Sequence, residues 1–245
     1  MDGSQVQVGD EVGRVAAVWR YPVKSMAPDA VQTAEVSWHG VAGDRRWGFV
    51  RDPREGSGFP WLTIRDRPDM VCYRPRFSDP ERPNASPVVV TTPTGAELDV
   101  ADAALAAELA DGLDGGVRAL KLNRGTFDSL PLSLITAQSV GALGDLAGRP
   151  LAVGRFRPNL LIDAHGDRAF TEEEWTGRTL RIGDALVRVD ARDKRCVIVN
   201  VDPTTAERDP IVLRTVVRQH EARLGVYGTT AAPGRVAVGD PVVVM

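Results

Sequence analysis

The stretch DKRCVIVNVDP, residues 193 to 203, sets Cys196 directly behind Lys194 and Arg195. A thiolate is a nucleophile and a soft metal ligand, and neighbouring cations favour that ionised form. An apolar Val-Ile-Val follows the cysteine, so a second reading stands beside the first: a small packing residue on a buried strand. In an extended chain alternate side chains share a face, which puts Lys194 and Asn200 on the Cys196 side and Arg195 on the other. Three further stretches carry cationic or amide side chains where apolar runs begin or end: YPVKS with Lys24 and Ser25, GDRRWGFV with Arg45 and Arg46, and GRFRPNLLI with Arg157 and Asn159. Each has a structural alternative, with Lys24 solvated, Arg45 or Arg46 paired to Asp44, and FRPN a turn because the residue before proline avoids helix. If these ends converge, they make an anion-binding cup of lysine and arginine around a thiol.

The chain that must position them has 245 residues, 43% of them hydrophobic and 26% charged, with a formal net charge of −3. That is enough for one large or two modest domains with a real core. The balance of acids and bases predicts no nucleic-acid or membrane-surface partner, so any anion site is local. Cys72 and Cys196 lie far apart and form no CxxC unit, which excludes a self-contained zinc ribbon or four-cysteine iron–sulfur site. The opening MDGSQVQVGDEVG lacks the basic start and apolar core of a secretory leader, and no run is long enough to span a membrane. The expectation is a cytoplasmic protein in a reducing compartment.

Short β-branched runs broken by turn residues dominate: VGRVAAVWRYPV, VQTAEVSW, RRWGFVRD, PVVVTT, TLRIGDALVRVD, RCVIVNVDP and RVAVGDPVVVM. They predict a mainly β (α+β) chain, a barrel or curled sheets, with a hairpin at Gly183-Asp184. Helices are expected over 102–110, about 137–146 and 211–224, the last with Asp209 as N-cap, Pro210 at its first position and Gly225 just past its end. Thr171 and Glu174 have the spacing of a capping box opening a short turn around Trp175. SDPERPNAS reads as an exposed loop, Cys72 as packed on a strand, and DGLDGG near residue 115 as a soft boundary between regions 1–115 and 116–245. His39, His165 and His220 do not cluster, and none is assigned a role.

The ordered set YPVKS, a D-R-x-W strand, FRPN, a basic-Cys segment ending in VDP, and VGDPV near the C-terminus resembles the MOSC family. Its relatives include the mitochondrial amidoxime-reducing components and the C-terminal domain of molybdenum-cofactor sulfurase. The resemblance covers nearly the whole chain and implies an N-terminal β-barrel-like region to about residue 115 followed by the MOSC domain. It further implies a molybdenum–molybdopterin cofactor between the two halves, with Cys196 as catalytic residue and metal ligand, a soft thiolate suiting that metal. Lys24, Ser25, Arg45, Ser129, Arg157, Asn159, Lys194, Arg195 and Tyr227 fall on positions that in the family's reductases lie at the cofactor. Leu130 departs from the family's Thr-Ser pair and leaves only its backbone there. The implied activity is reduction of N-hydroxylated small molecules by oxygen-atom transfer, with electrons from a separate ferredoxin or cytochrome b5/flavoprotein-type donor. An alternative from the same family is a carrier of sulfur, as a Cys196 persulfide, or of the cofactor. No pyridoxal phosphate is implied, since in the sulfurases that group belongs to a different domain.

Overall fold

The computed structural model describes residues 9–245, and most of the opening stretch read for a leader lies outside them. Seven strands close into a barrel: β1 (Glu11–Arg20), β10 (Leu132–Thr136), β11 (Leu160–Ala164), β12 (Thr179–Ile182), β13 (Ala185–Lys194), β14 (Arg223–Ala232) and β16 (Pro241–Val244). Their order is β11-β10-β14-β13-β12-β16-β1, and the β11–β1 pairing completes the ring. Only β10 and β11 run parallel. Alternation of apolar and polar residues makes this possible, because each strand sends every second side chain inward. Val15, Leu134, Ile162, Leu180, Val187 and Val226 meet in the interior, and Trp175 packs with them. The edge strand β2 (Asp29–Val31) extends β1.

A cover of smaller sheets lies on the N-terminal side. It comprises β3 (Thr33–Ser37), β4 (Gly40–Val41) and β15 (Gly234–Ala237), then β5 (Trp47–Arg51) with β9 (Val117–Lys121), then β6 (Arg74–Phe77), β7 (Val88–Thr91) and β8 (Glu97–Asp99). The last two sheets enclose a second core around Phe49, Leu62, Met70, Tyr73 and Leu105, whereas Val36, Val41 and Val236 of the first pack with the barrel's core. Strands cross residue 115 in both directions: β1 completes the barrel of the C-terminal half, and β9 pairs with β5 of the cover. Three helices flank the sheets, α1 (Ala103–Ala110), α2 (Ala137–Ala147) and α3 (Ile211–His220). Among the described residues no helix is long and apolar enough to cross a membrane.

The Gly183-Asp184 hairpin forms as expected, with Ile182 paired to Ala185. Four local expectations fail for physical reasons. Helix α3 stops at His220 because Glu221 and Ala222 turn left-handed, and the apolar residues from Leu224 onward join β14 instead. The capping box does not form: Glu174 pairs with Arg168, and the buried Thr171 hydroxyl has no partner. Cys72 ends a 3-10 helix (Pro68–Cys72) and donates to the Thr204 carbonyl at 3.4 Å. Finally, Val197–Asn200 is a 3-10 turn, not a strand. Val199 packs with the α2 and α3 cluster, whereas Ile198 and Val201 pack with Ile64 and Val71 of the cover. On a strand Val199 and Val201 would share a face and Ile198 would oppose Val201, so the chain coils to send Ile198 and Val201 to one pocket and Val199 to the other.

Close packing at the barrel's centre generates a stability test. A Cβ on Gly228 would lie 2.6 Å from the Arg188 carbonyl oxygen and 3.0 Å from Val187 Cγ1. Gly228→Ala is expected to lower unfolding free energy by about 1–3 kcal/mol, read from the urea midpoint at unchanged m-value.

Candidate functional site

Between barrel and cover lies a cleft of about 310 Å³, and all ten residues singled out from the sequence line it: Lys24, Ser25, Arg45, Ser129, Arg157, Asn159, Lys194, Arg195, Cys196 and Tyr227. Arg46 does not line it. Its inner end is built on the irregular segment 156–158, whose backbone carbonyls are met by side chains rather than by a strand. Side chains satisfy them in succession: Arg195 Nη1 donates to Phe156 O at 2.8 Å, Arg45 Nη2 to Arg157 O at 3.1 Å, and the Tyr21 hydroxyl to Pro158 O at 3.1 Å. Asn159 follows the segment. Its carboxamide accepts from Ser133 N and donates to Trp19 O, both at 3.2 Å, so it ties β10 to β1.

The guanidinium carbons of Arg45 and Arg157 both stack on the Tyr21 ring, 4.4 and 4.3 Å from its centroid. Asp44, fully buried, pairs with Arg45 and accepts from Tyr21 N at 2.7 Å. Arg157 has no carboxylate partner among the described residues, and its buried Nη2 makes no hydrogen bond. Burial lowers its pKa to about 10, and burial raises that of Tyr21 to about 12. A desolvated, unpartnered guanidinium is costly unless an anion completes it. Three non-glycine residues with positive φ, Ser25 (69°), Arg45 (48°) and Arg157 (52°), cluster here. Such backbone costs about 1–3 kcal/mol per residue and persists only where its surroundings fix it. Lys24, whose pKa burial lowers, pairs with Asp128 and donates to Thr126 O at 2.7 Å.

The other end holds the sulfur. Cys196 lies two residues past the end of β13, and alternation still holds this far: Lys194 is exposed, Cys196 half-buried and Arg195 buried. Asn200 is lost from that face, its side-chain oxygen accepting from Leu213 N at 2.8 Å instead. Arg195 is occupied by Asp193 and the carbonyls of Leu224 and Phe156. The cation at the thiol is Arg65, from the cover, whose Nη2 donates to Cys196 Sγ at 3.3 Å. Nothing near Arg65 in sequence pointed to this contact, because 131 residues separate the two. Tyr21, Ser133, Asp193 and Asp128 were likewise not singled out. Cleft-lining side chains comprise eight cations and two carboxylates, Asp128 and Asp193.

Asp193 lies in the wall beside Tyr227. Burial raises its pKa to about 6 against the pull of Arg195, Ser133 and Tyr227. The Tyr227 phenol is also pushed up, by its own burial and by Asp193. His220 lies apart, stacked on Phe170 and paired with Glu173. Between pH 4 and 6 the folded chain therefore holds a proton on Asp193 that the unfolded chain has lost. This contribution to stability is present below pH 4, declines as pH rises to 6 and is flat above. Asp193→Asn should gain roughly 2–3 kcal/mol relative to wild type between pH 4 and pH 7, measured by urea unfolding across that range.

The sequence matches the models of two adjoining families, the MOSC N-terminal beta barrel domain over residues 12–114 and the MOSC domain over residues 123–243. The chain is 24% identical to mitochondrial amidoxime-reducing component 1 of Xenopus laevis over 95% of its own length and 82% of that protein's. It is 26% identical to molybdenum cofactor sulfurase of Drosophila mojavensis, matched over 84% of this chain but 30% of that longer protein. The crystal structure of the YuaD protein from Bacillus subtilis shares the fold, with a TM-score of 0.51 at 11% identity and 95% of each chain covered. Because the two family matches together take in the barrel, its cover and both ends of the cleft between them, the chain belongs to the MOSC family.

Proposed function

We propose that the cleft binds a molybdenum–molybdopterin cofactor with Cys196 as the metal's protein ligand, and that the chain is an oxidoreductase acting on N-hydroxylated small molecules. One observation carries this reading: an arginine whose buried Nη2 has no hydrogen-bond partner, Arg157, and an accessible thiol, Cys196, line one cleft. The donor set fits such a group. Among the described residues no three His, Cys, Asp or Glu side chains stand close enough to hold a metal ion. A metal at Cys196 must therefore arrive on its own chelate, and a soft thiolate suits a soft metal site. The chelate's anionic group would take Arg157, with Arg45 and Lys24 beside it. The similarity to proteins named amidoxime-reducing component and molybdenum cofactor sulfurase supports the same choice.

When bound, the cofactor supplies two-electron oxygen-atom transfer. The residues of this chain hold and orient it: Arg45 and Arg157 fix its charge, and the Arg195 clamp fixes the turn that presents Cys196. Removing oxygen from an N-hydroxyl group as water consumes two protons. Asp193 and Tyr227 are the proton-bearing groups of the wall, Asp193 exchanging near pH 6 and Tyr227 remaining a donor. Electrons come from a separate redox protein of ferredoxin or cytochrome b5/flavoprotein type.

The test is molybdenum by elemental analysis and oxidised pterin by fluorescence on the full chain made in a cofactor-producing host. Wild type is expected to carry both near stoichiometry. Cys196→Ala should keep pterin, lose molybdenum and N-hydroxyl reduction, and cost about 1 kcal/mol of stability. Arg157→Gln should weaken pterin retention roughly 10- to 100-fold, the value of a charge-assisted contact to an anion. Wild type lacking both groups would overturn the proposal, and a persulfide on Cys196 by intact mass would redirect it to a sulfur carrier.

A further inference from the structure

Both ends of the cleft carry unpaired cationic charge. At the inner end Lys24, Arg45 and Arg195 are each tied to a carboxylate, which leaves Arg157. At the mouth Arg65 and Lys194 are both exposed, and neither has an ion pair among the described residues. Arg65 is nonetheless held in place. Its neighbour Ile64 is buried against Val71 and Val201. A turn closed by Asp66 accepting from Thr63 N at 3.1 Å shapes the backbone. The carbonyl of Arg65 accepts from Arg208 Nη2 at 3.0 Å, a bond from the C-terminal half to the cover. An exposed side chain on so constrained a backbone, with its guanidinium 3.3 Å from the sulfur, is placed for a task other than surface pairing.

We propose that Arg65 is a specificity-determining residue that draws negatively charged small molecules to Cys196. The inference rests on the proposed function only in taking Cys196 as the reacting end of the cleft. Low-dielectric walls concentrate the field of an unpaired cation at a cleft mouth and raise the local concentration of anions. Arg65 performs this steering, with Lys194 as the weaker second charge, since only Arg65 touches the sulfur. Reactants carrying a carboxylate or another anionic group are favoured over neutral ones of the same shape.

Two alkylating agents that differ in charge test it. Iodoacetate and iodoacetamide each form an S–C bond with the thiolate and expel iodide, so at one pH the thiolate fraction cancels from the ratio of their rates. The ratio is measured on the full chain, made without the cofactor so that the thiol is unligated, and resolved by peptide mass spectrometry. Wild-type Cys196 is expected to show an iodoacetate-to-iodoacetamide ratio roughly tenfold above that of a small free thiol, falling toward it in 0.5 M salt. Arg65→Gln should lose most of that preference and Arg65→Lys should keep a large part, while Lys194→Gln loses less. Cys72, in the same samples, should keep its ratio in every variant. Equal ratios in wild type and Arg65→Gln, or a sulfur that reacts with neither reagent, would overturn the inference. Should Arg65→Gln fail to fold by circular dichroism, the Arg65→Lys variant and the wild-type salt dependence decide. Molybdenum and pterin content fail independently of this ratio, so the two proposals are separable.

Discussion

A loop that cannot hydrogen-bond to a sheet must still satisfy its carbonyls, and in this protein the segment 156–158 does so through side chains from three other parts of the chain. Arg195, Arg45 and Tyr21 take its three consecutive carbonyl oxygens in turn. Each of those side chains is thereby fixed, and with them the floor of the cleft. Tyr21 then serves as the surface on which two guanidinium groups stack. Two buried cations side by side repel, and a desolvated contact with an aromatic face returns only about 2 kcal/mol. Asp44 neutralises one of them. No carboxylate among the described residues neutralises the charge left on Arg157, and the strained backbone at Ser25, Arg45 and Arg157 lies around it.

The two halves of the chain cannot be considered separately at this site. The barrel supplies Ser133, Asp193 and Tyr227 as a wall, while the cover supplies Lys24, Arg45 and Arg65. Their mutual position depends on shared strands and on a small apolar contact of Ile64 and Val71 with Val201. That contact is also why the segment after Cys196 coils. Directing Val199 to one core and Val201 to another bends the chain immediately beyond the thiol, leaving Val197 and the sulfur at the mouth.

A gradient runs along the cleft as a result. Its inner end is largely buried and cationic, suited to holding an anion. Its outer end has one cation on an exposed side chain and a thiol, suited to exchange of small reactants. Holding and reacting make opposite demands on solvent access, and the fold separates them by length.

Much of this was legible in the sequence because it depends on local rules. Alternating β-branched runs fix strands, Gly183-Asp184 fixes a hairpin, and the helix-forming runs over 102–110 and about 137–146 become α1 and α2. The cleft-lining set was also readable, since YPVKS, DRRW, FRPN and KRC each place a polar side chain at a strand end. What the sequence could not determine was which of those side chains remains available. Asn159 and Arg195 are consumed by backbone groups, Arg157 is left unpaired, and the cation beside the thiol is Arg65 rather than Lys194 or Arg195. Those outcomes are settled by contacts between residues 26 to 140 positions apart. A hydrogen bond has one donor and a charge one nearest partner, so their allocation is decided only when the whole chain has folded.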